Sequence, residues 1–236
     1  MNCDSITKSS PVFSRRTNTV SCLKKTQRLF QKRYSGAQSP SLMEVKLYNF
    51  SFPKGIDFSC YQDIISLLKE KLRDIRRTLD VSYKNKLPFG YYNKLLYLED
   101  FEKIINCNEC AEISNLILHM NKVRNSDTFR LYARSKDGKL RFLDHTVTAI
   151  GVKKKQNNKH NPKIFKPSKN VRILDMWLNC LNGTCCKYSN FNRKIREVCN
   201  INPDDEILFQ PMNTLPLDDV TLKNLKEKYP KLVLDA

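Results

Sequence analysis

Glycine is scarce in this chain of 236 residues, and its spacing excludes several classes of nucleotide-binding site. Six glycines occur, and the closest two, Gly138 and Gly151, lie 13 positions apart. Phosphate-binding loops and dinucleotide-binding turns need two or three glycines within about six residues, because the backbone must turn tightly and approach the phosphate. No motif of either kind can therefore be written from this sequence.

Long apolar runs are also missing from the chain. No stretch approaches the ~20 apolar residues that a membrane-spanning helix needs. The N-terminal region likewise lacks the apolar run of about 7 to 15 residues that a secretory signal requires. We therefore expect no stable membrane insertion.

Acidic residues are absent between Ser5 and Met43, whereas basic and hydroxyl side chains are frequent there. The basic residues of the first 34 positions are Lys8, Arg15, Arg16, Lys24, Lys25, Arg28, Lys32 and Arg33. This composition is typical of an organellar transit peptide, which binds anionic membranes and is drawn inward by the membrane potential. We predict a cleavable mitochondrial transit peptide over residues 1–34 and a location in the mitochondrial matrix.

The end of this predicted leader has the form of a processing site. Residues 31–36 resemble the site of the matrix processing peptidase, with Arg33 two residues before a cut that would follow Tyr34. Apolar and basic residues between positions 20 and 34 also separate onto two faces of a helix. The alternative is a basic arm that is retained and binds nucleic acid.

Positive charge persists after the predicted leader is removed. The chain has 42 basic and 24 acidic residues, a net charge of +18. The leader contributes 8 − 1 = +7, so the remaining residues carry 18 − 7 = +11. A surface of this sign favours a polyanionic partner. We expect RNA, either ribosomal or messenger, and the mitochondrial ribosome as candidate partners.

Hydrophobic periodicity predicts an α+β fold, with helices packed on a small, mainly antiparallel sheet in two subdomains joined by a basic linker. The boundaries are an α+β domain over 41–150, the linker over 151–170 and a small C-terminal subdomain over 171–236. Spacings of three and four predict helices near 61–79, 93–105, 110–120 and 173–181. Apolar and polar residues alternate over 128–150, with an interruption at Asp137-Gly138, and this pattern predicts a hairpin.

The predicted hairpin has a basic face. A two-residue loop at Asp137-Gly138 would place Arg134 opposite Arg141, with Arg130 and Tyr132 on the same face. Like charges opposite each other destabilise a strand pair unless an anion lies between them, and tyrosine can stack on a base. We predict that this face and the following lysines bind nucleic acid, the alternative being a solvated surface. The residues are Arg130, Tyr132, Arg134, Lys139, Arg141, Lys153, Lys154, Lys155, Lys159, Lys163, Lys166 and Lys169.

Metal and catalytic motifs are weak in this sequence. Cys107-x-x-Cys110 could bind zinc with Cys180 and Cys185, but apolar surroundings favour free buried thiols among the nine cysteines. Asp137-Gly-Lys139 with Asp127 upstream has the order of a metal-dependent nuclease site, although a turn explains the aspartate better. The three histidines, at positions 119, 145 and 160, have no obvious nucleophile partner in the sequence. We predict no catalytic residue, cofactor or metal.

These observations favour a non-enzymatic, RNA-binding component of mitochondrial gene expression. It would be a ribosomal protein, a ribosome-associated factor, or an RNA maturation or translation factor. The alternative is an assembly factor or adaptor of a respiratory complex that acts through protein contacts. A metal-dependent nuclease is the third possibility, so an enzymatic function is not favoured but stays open.

Overall fold

The computed structural model describes residues 12–33, 58–102, 104–153, 163–178 and 184–234. These residues form six α-helices and one antiparallel sheet of five strands, which confirms the predicted α+β class. The helices are α1 (Val12–Arg33), α2 (Phe58–Lys84), α3 (Pro88–Glu102), α4 (Cys107–Met120), α5 (Tyr188–Val198) and α6 (Asp219–Lys228). The strands are β1 (Ser126–Arg134), β2 (Leu140–Ile150), β3 (Arg172–Asp175), β4 (Thr184–Lys187) and β5 (Glu206–Pro211).

The three helices predicted before the hairpin are present as α2, α3 and α4, and each begins earlier than its periodicity indicates. The difference matters most for α4, which begins at Cys107 rather than near residue 110. Cys107 therefore lies in the first turn of a helix. Among the described residues, no helix is long and apolar enough to cross a bilayer.

The five strands are ordered β4-β3-β2-β1-β5. Strands β1 and β2 precede the basic segment at residues 151–170, and the other three strands follow it. The boundary predicted between two subdomains thus falls between β2 and β3, which are hydrogen-bonded neighbours in one sheet.

Helices cover both faces of this sheet. Helix α4 packs on one face, where the hydroxyl of Thr148 on β2 donates to the carbonyl oxygen of Ala111 at 2.8 Å. Helix α5 packs on the other face and contributes Phe191 and Ile195 to a second core with Phe129 of β1. Because the sheet is covered on both faces, its central strands are buried throughout much of their length.

The hairpin between β1 and β2 forms where it was predicted, but its loop has a different length. Ser135 donates its backbone N–H to the carbonyl of Lys139 at 3.0 Å, so three residues form the loop instead of two. The last of them, Gly138, has a φ of +82°. A three-residue loop that ends with a left-handed glycine is the next common hairpin type after two-residue loops.

This extra loop residue changes the register of the whole hairpin. Arg134 pairs with Leu140, and Arg141 pairs with Ala133. Neighbouring side chains alternate between the faces of a sheet, so a one-residue slip moves a side chain to the opposite face. The predicted pairing of Arg134 with Arg141 is therefore wrong, and Arg141 does not share a face with Arg130 and Tyr132.

The helix predicted over residues 173–181 is also wrong, because its first part is strand β3. Ile173 and Leu174 are both completely buried, although they point to opposite faces of the sheet. A strand buried on both faces reads as a continuous apolar run, which periodicity cannot separate from a buried helix. Pairing with β2 on one side and β4 on the other fixes the extended conformation.

Helix α1 comprises most of the predicted leader and contributes to the main core. Its residues Leu23 and Phe30 are completely buried, and the helix packs against α4 and β4. The predicted cut after Tyr34 lies outside the described residues. Cleavage there would remove a helix that the rest of the fold uses as part of its core.

Candidate active site

Several basic residues predicted to contact RNA are paired with carboxylates of the protein itself. Arg134 and Lys166 both bind Glu206, and the Lys166 contact measures 2.7 Å. Hydrogen bonds from Lys166 and Arg134 lower the pKa of Glu206 to about 2. Lys139 binds Asp137 within the loop at 2.9 Å. These pairs offset the like-charge repulsion from which an external anion was inferred.

The remaining predicted contacts do not form one surface. Arg130 and Tyr132 lie on the α4 face of the sheet, whereas Arg141 lies on the α5 face. Besides Lys166, three lysines of the basic segment are exposed, namely Lys153, Lys163 and Lys169. Three others, Lys154, Lys155 and Lys159, lie outside the described residues.

The metal motifs considered from the sequence do not assemble in the described part of the chain. Cys107 and Cys110 are both buried in the first turn of α4, and Cys180 lies outside the described residues. Among the described side chains, no group of three or more His, Cys, Asp or Glu could hold a metal ion. Asp127 lies near the start of β1 and Asp137 lies in the loop beyond its end, so these two carboxylates do not converge.

A different cluster forms where the start of α4 meets the middle of the sheet. His145 lies on β2, Asp175 ends β3 and Cys107 begins α4. Nε2 of His145 is 2.7 Å from Oδ2 of Asp175. The three residues retain only 1%, 2% and 4% of their accessible surface, respectively. A thiol, an imidazole and a carboxylate from three separate elements thus meet in a buried position.

A β-bulge shapes this part of β2. The register of β1 against β2 shifts between Arg130 and Tyr132, opposite the segment that precedes His145. Within that segment Asp144 adopts a φ of +48°. Its carbonyl oxygen accepts a hydrogen bond from Sγ of Cys107 at 3.6 Å. Bulges redirect side chains and are frequent beside active sites, and this one joins the strand that carries the imidazole to the thiol.

The second ring nitrogen of His145 faces the other way from Asp175. Nδ1 is buried and makes no hydrogen bond of normal geometry with the described residues. Burial by itself lowers the pKa of His145, but the charge and hydrogen bond of Asp175, with a smaller effect of the neighbouring Cys107, raise it well above the usual value. The ring of Trp177 lies 4.7 Å from the imidazole, centroid to centroid. The imidazole therefore lies between a carboxylate and a thiol, a position that stabilises its charged form.

Asp175 is held by more than its contact with His145. Its Oδ1 accepts hydrogen bonds from the backbone N–H groups of Trp177 at 3.0 Å and Leu178 at 3.2 Å. These bonds fix the carboxylate, which in turn fixes the orientation of the imidazole. Orienting a catalytic histidine in this way is the role of the third member of a nucleophile–histidine–carboxylate triad.

The first turn of α4 is anchored to α2. The backbone N–H of Asn106 donates to Oε2 of Glu109 at 3.2 Å. Glu109 also binds Arg76 of α2 through two hydrogen bonds of 2.8 and 3.2 Å. The N-terminus of a helix carries a partial positive charge, and this charge and a neighbouring imidazolium both stabilise a thiolate. The position of Cys107 suits a nucleophile.

The sequence prediction missed this cluster because each member has a common structural explanation. Cys107 was interpreted as a core thiol, and His145 had no nucleophile nearby in the sequence. Two signals were available. Asn106 followed by Glu109 is a helix-start pattern that places Cys107 at an N-terminus. Asp175 interrupts an apolar run, and a buried carboxylate requires a partner.

The raised pKa of His145 predicts how stability depends on pH. In the unfolded chain histidine titrates near pH 6.5. Stabilisation by charged His145 is therefore fully present below about pH 6.5 and is lost as pH rises toward the folded-state pKa, by at most about 1.4 kcal/mol per pH unit. Urea denaturation of the wild-type protein and His145→Gln should show a difference that shrinks with rising pH. A difference that does not change with pH would contradict the charged state of His145.

The chain matches no known protein family, no characterised protein and no solved structure. Its function is therefore inferred from the geometry of Cys107, His145 and Asp175.

Proposed function

We propose that this protein is a cysteine-dependent acyl hydrolase or acyl transferase. Cys107 is the nucleophile, His145 is the general base and acid, and Asp175 positions His145. The observation that carries the proposal is the buried 2.7 Å contact between Nε2 of His145 and Oδ2 of Asp175, which leaves Nδ1 for the thiol. A nucleophile beside a base that is oriented by a third group is the common signature of covalent acyl catalysis.

The reaction follows from these three groups. Nδ1 of His145 takes the proton of Cys107, and the thiolate attacks the carbonyl carbon of an amide, ester or thioester. A C–S bond forms, the bond to the leaving group breaks, and the leaving amine, alcohol or thiol takes the proton from His145. Water or an amine then attacks the thioester with His145 as its base, which releases the acyl group and restores the thiol.

The start of α4 supplies the electrostatic part of the mechanism. The first N–H groups of an α-helix have no acceptor within the helix. Those of α4 lie beside Cys107, where the negative charge of the tetrahedral intermediate develops. Donors already in place at that position stabilise the transition state without reorganisation.

Selective alkylation tests the proposal without knowledge of the substrate. The full chain is treated with a limiting amount of iodoacetamide near pH 6, well below the usual thiol pKa of about 8.5, and the modified cysteines are identified by mass spectrometry. We expect Cys107 to react first, because His145 beside it can take the proton of the thiol as alkylation proceeds. Burial raises the pKa of Cys185 to about 11 and also raises the pKa of Cys199, so these thiols should react slowly.

Cys110 is the matched internal reference, since it lies three residues further along the same helix and is also buried. The His145→Gln protein should lose the preference for Cys107, whereas its remaining thiols should react as before. Reaction of Cys107 no faster than that of Cys110 in the wild-type protein would overturn the proposal.

A second candidate function is the one expected from the sequence, an RNA-binding component of gene expression in the mitochondrial matrix. It is supported by the net charge of +18 and by the exposed side chains of Lys153, Lys163 and Lys169. Co-sedimentation with mitochondrial ribosomes that is lost in high salt or after ribonuclease treatment would support it, because phosphate contacts are steeply salt-dependent. This function does not require Cys107, so Cys107→Ala separates the two candidates.

A further inference from the structure

Helix α4 covers only part of the sheet face on which it lies. Thr146 of β2 contacts the side chain of Asn108, and Thr148 contacts Ala111, one turn further along the helix. The helix begins at Cys107, so side chains of the same face that lie nearer the hairpin are not covered by it. Phe142 and Leu140 accordingly expose 47% and 46% of their surface.

The part of this face that α4 leaves exposed forms a surface that we call the platform. It consists of Arg130, Tyr132 and Arg134 of β1 and Leu140 and Phe142 of β2, which are cross-strand neighbours on one face. Leu208 of β5 pairs with Tyr132 at the edge of this surface and is itself buried. The rings of Tyr132 and Phe142 are 5.3 Å apart, centroid to centroid. A hydrogen bond of 2.9 Å from the Tyr132 hydroxyl to Oε1 of Gln210 fixes the tyrosine.

The platform begins at the candidate nucleophile. Phe142 lies two residues before Asp144, whose carbonyl oxygen contacts Sγ of Cys107. Arg130 pairs with Thr146, which contacts the residue that follows Cys107 in the helix. At its far end the platform leads into an open depression of about 410 Å³, lined by Leu140, Leu208, Phe165, Arg134 and Lys166 among others. An extended ligand on the platform would therefore run from the start of α4, where Cys107 lies, to this depression.

The charge of the platform is positive. Arg134 and Lys166 share a single carboxylate, that of Glu206. Arg130 is exposed and forms no ion pair with the acidic residues that the structure describes. Three cations and one anion leave a net charge of +2.

We propose that the platform binds an extended polypeptide segment that carries carboxylate side chains between apolar ones, and presents its acyl carbon to Cys107. This inference rests on the proposed function of Cys107. The exposed aromatic and aliphatic side chains complement apolar residues, and the cations complement carboxylates. A polypeptide also offers the amide carbonyl that a thiolate attacks, which a nucleic acid backbone does not.

Binding is measured with the full-length Cys107→Ala protein, so that no turnover occurs. Three fluorescent peptides of one length share alternating leucine and phenylalanine, and their remaining positions hold glutamate, glutamine or lysine. We expect the glutamate peptide to bind about tenfold more tightly than the lysine peptide, a difference of about 1.4 kcal/mol. Arg130→Glu should remove this preference, and Phe142→Ala should weaken the binding of all three peptides to a similar extent.

Arg141→Glu is the matched control, because it makes the same charge reversal on the opposite face of the same hairpin and should leave binding unchanged. Equal affinity for all three peptides, or an equal effect of Arg130→Glu and Arg141→Glu, would overturn the inference. Tighter binding of a single-stranded RNA that displaces the peptide would overturn it as well, in favour of a nucleic-acid surface. Alkylation of Cys107 in the wild-type protein is independent of these results, so failure of the platform is distinguishable from failure of the proposed function.

Discussion

Cys107→Ala is expected to lower turnover of acyl substrates by about 1,000-fold or more, because removal of a covalent nucleophile leaves only the contribution of binding and transition-state contacts. Two neighbouring thiols in the described part of the chain are less suited to this role. Cys110 is 1% exposed and lies within the core, and Cys199 lies at the end of α5 with a pKa raised by burial. Hydrolysis of p-nitrophenyl acetate and of a fluorogenic peptide-amide library measures the change.

The matched control is Cys110→Ala, which removes a buried thiol from the same helix turn and leaves the nucleophile in place. It should retain most of the activity, with a lower stability because a buried side chain becomes smaller. Circular dichroism of both variants separates loss of chemistry from loss of fold. Activity of Cys107→Ala equal to that of Cys110→Ala, with both proteins folded, would contradict the assignment of Cys107.

The sequence predicted the positions of the helices and strands better than it predicted how they pair and pack with one another. Helices α2, α3 and α4 follow from apolar spacing, since each buries one stripe of side chains. The hairpin follows from Asp137-Gly138, although its register depends on whether Lys136 belongs to the strand or to the loop. That choice is made by pairing along the whole strand, which local sequence does not specify.

The candidate site depends on tertiary contacts more than the helices and the hairpin do. Cys107, His145 and Asp175 are separated by 38 and 30 positions in the chain. Only the packing of α4 across β2 and β3 brings them together. Tertiary contacts also neutralise charges that the sequence suggested were free. Glu206 lies far along the chain from Arg134 and pairs with it only in the folded sheet. Charge in the sequence therefore overstated the charge available to a ligand.

A chain that lacks residues 1–34 is expected to lose most of its folding free energy. Leu23 and Phe30 are completely buried against the core that contains α4, and Arg33 lies 5.8 Å from the ring of Tyr229 near the C-terminus. Truncation of a buried leucine or phenylalanine costs about 2 to 5 kcal/mol, so the loss of both approaches the whole stability of a typical domain, about 5 to 15 kcal/mol. Urea denaturation of the full-length and truncated proteins measures this loss.

A shorter deletion of residues 1–11 is the control for this truncation, because it leaves α1 in place and should change the stability little. The comparison bears directly on the proposed mitochondrial location. If α1 is required for folding, a protein imported into mitochondria must keep residues 20–33 to remain folded, and its processed N-terminus should precede α1. A truncated chain that begins at Ser35 and still unfolds cooperatively with full-length stability would contradict the role of α1 in the core, and would make Ser35 a feasible mature N-terminus.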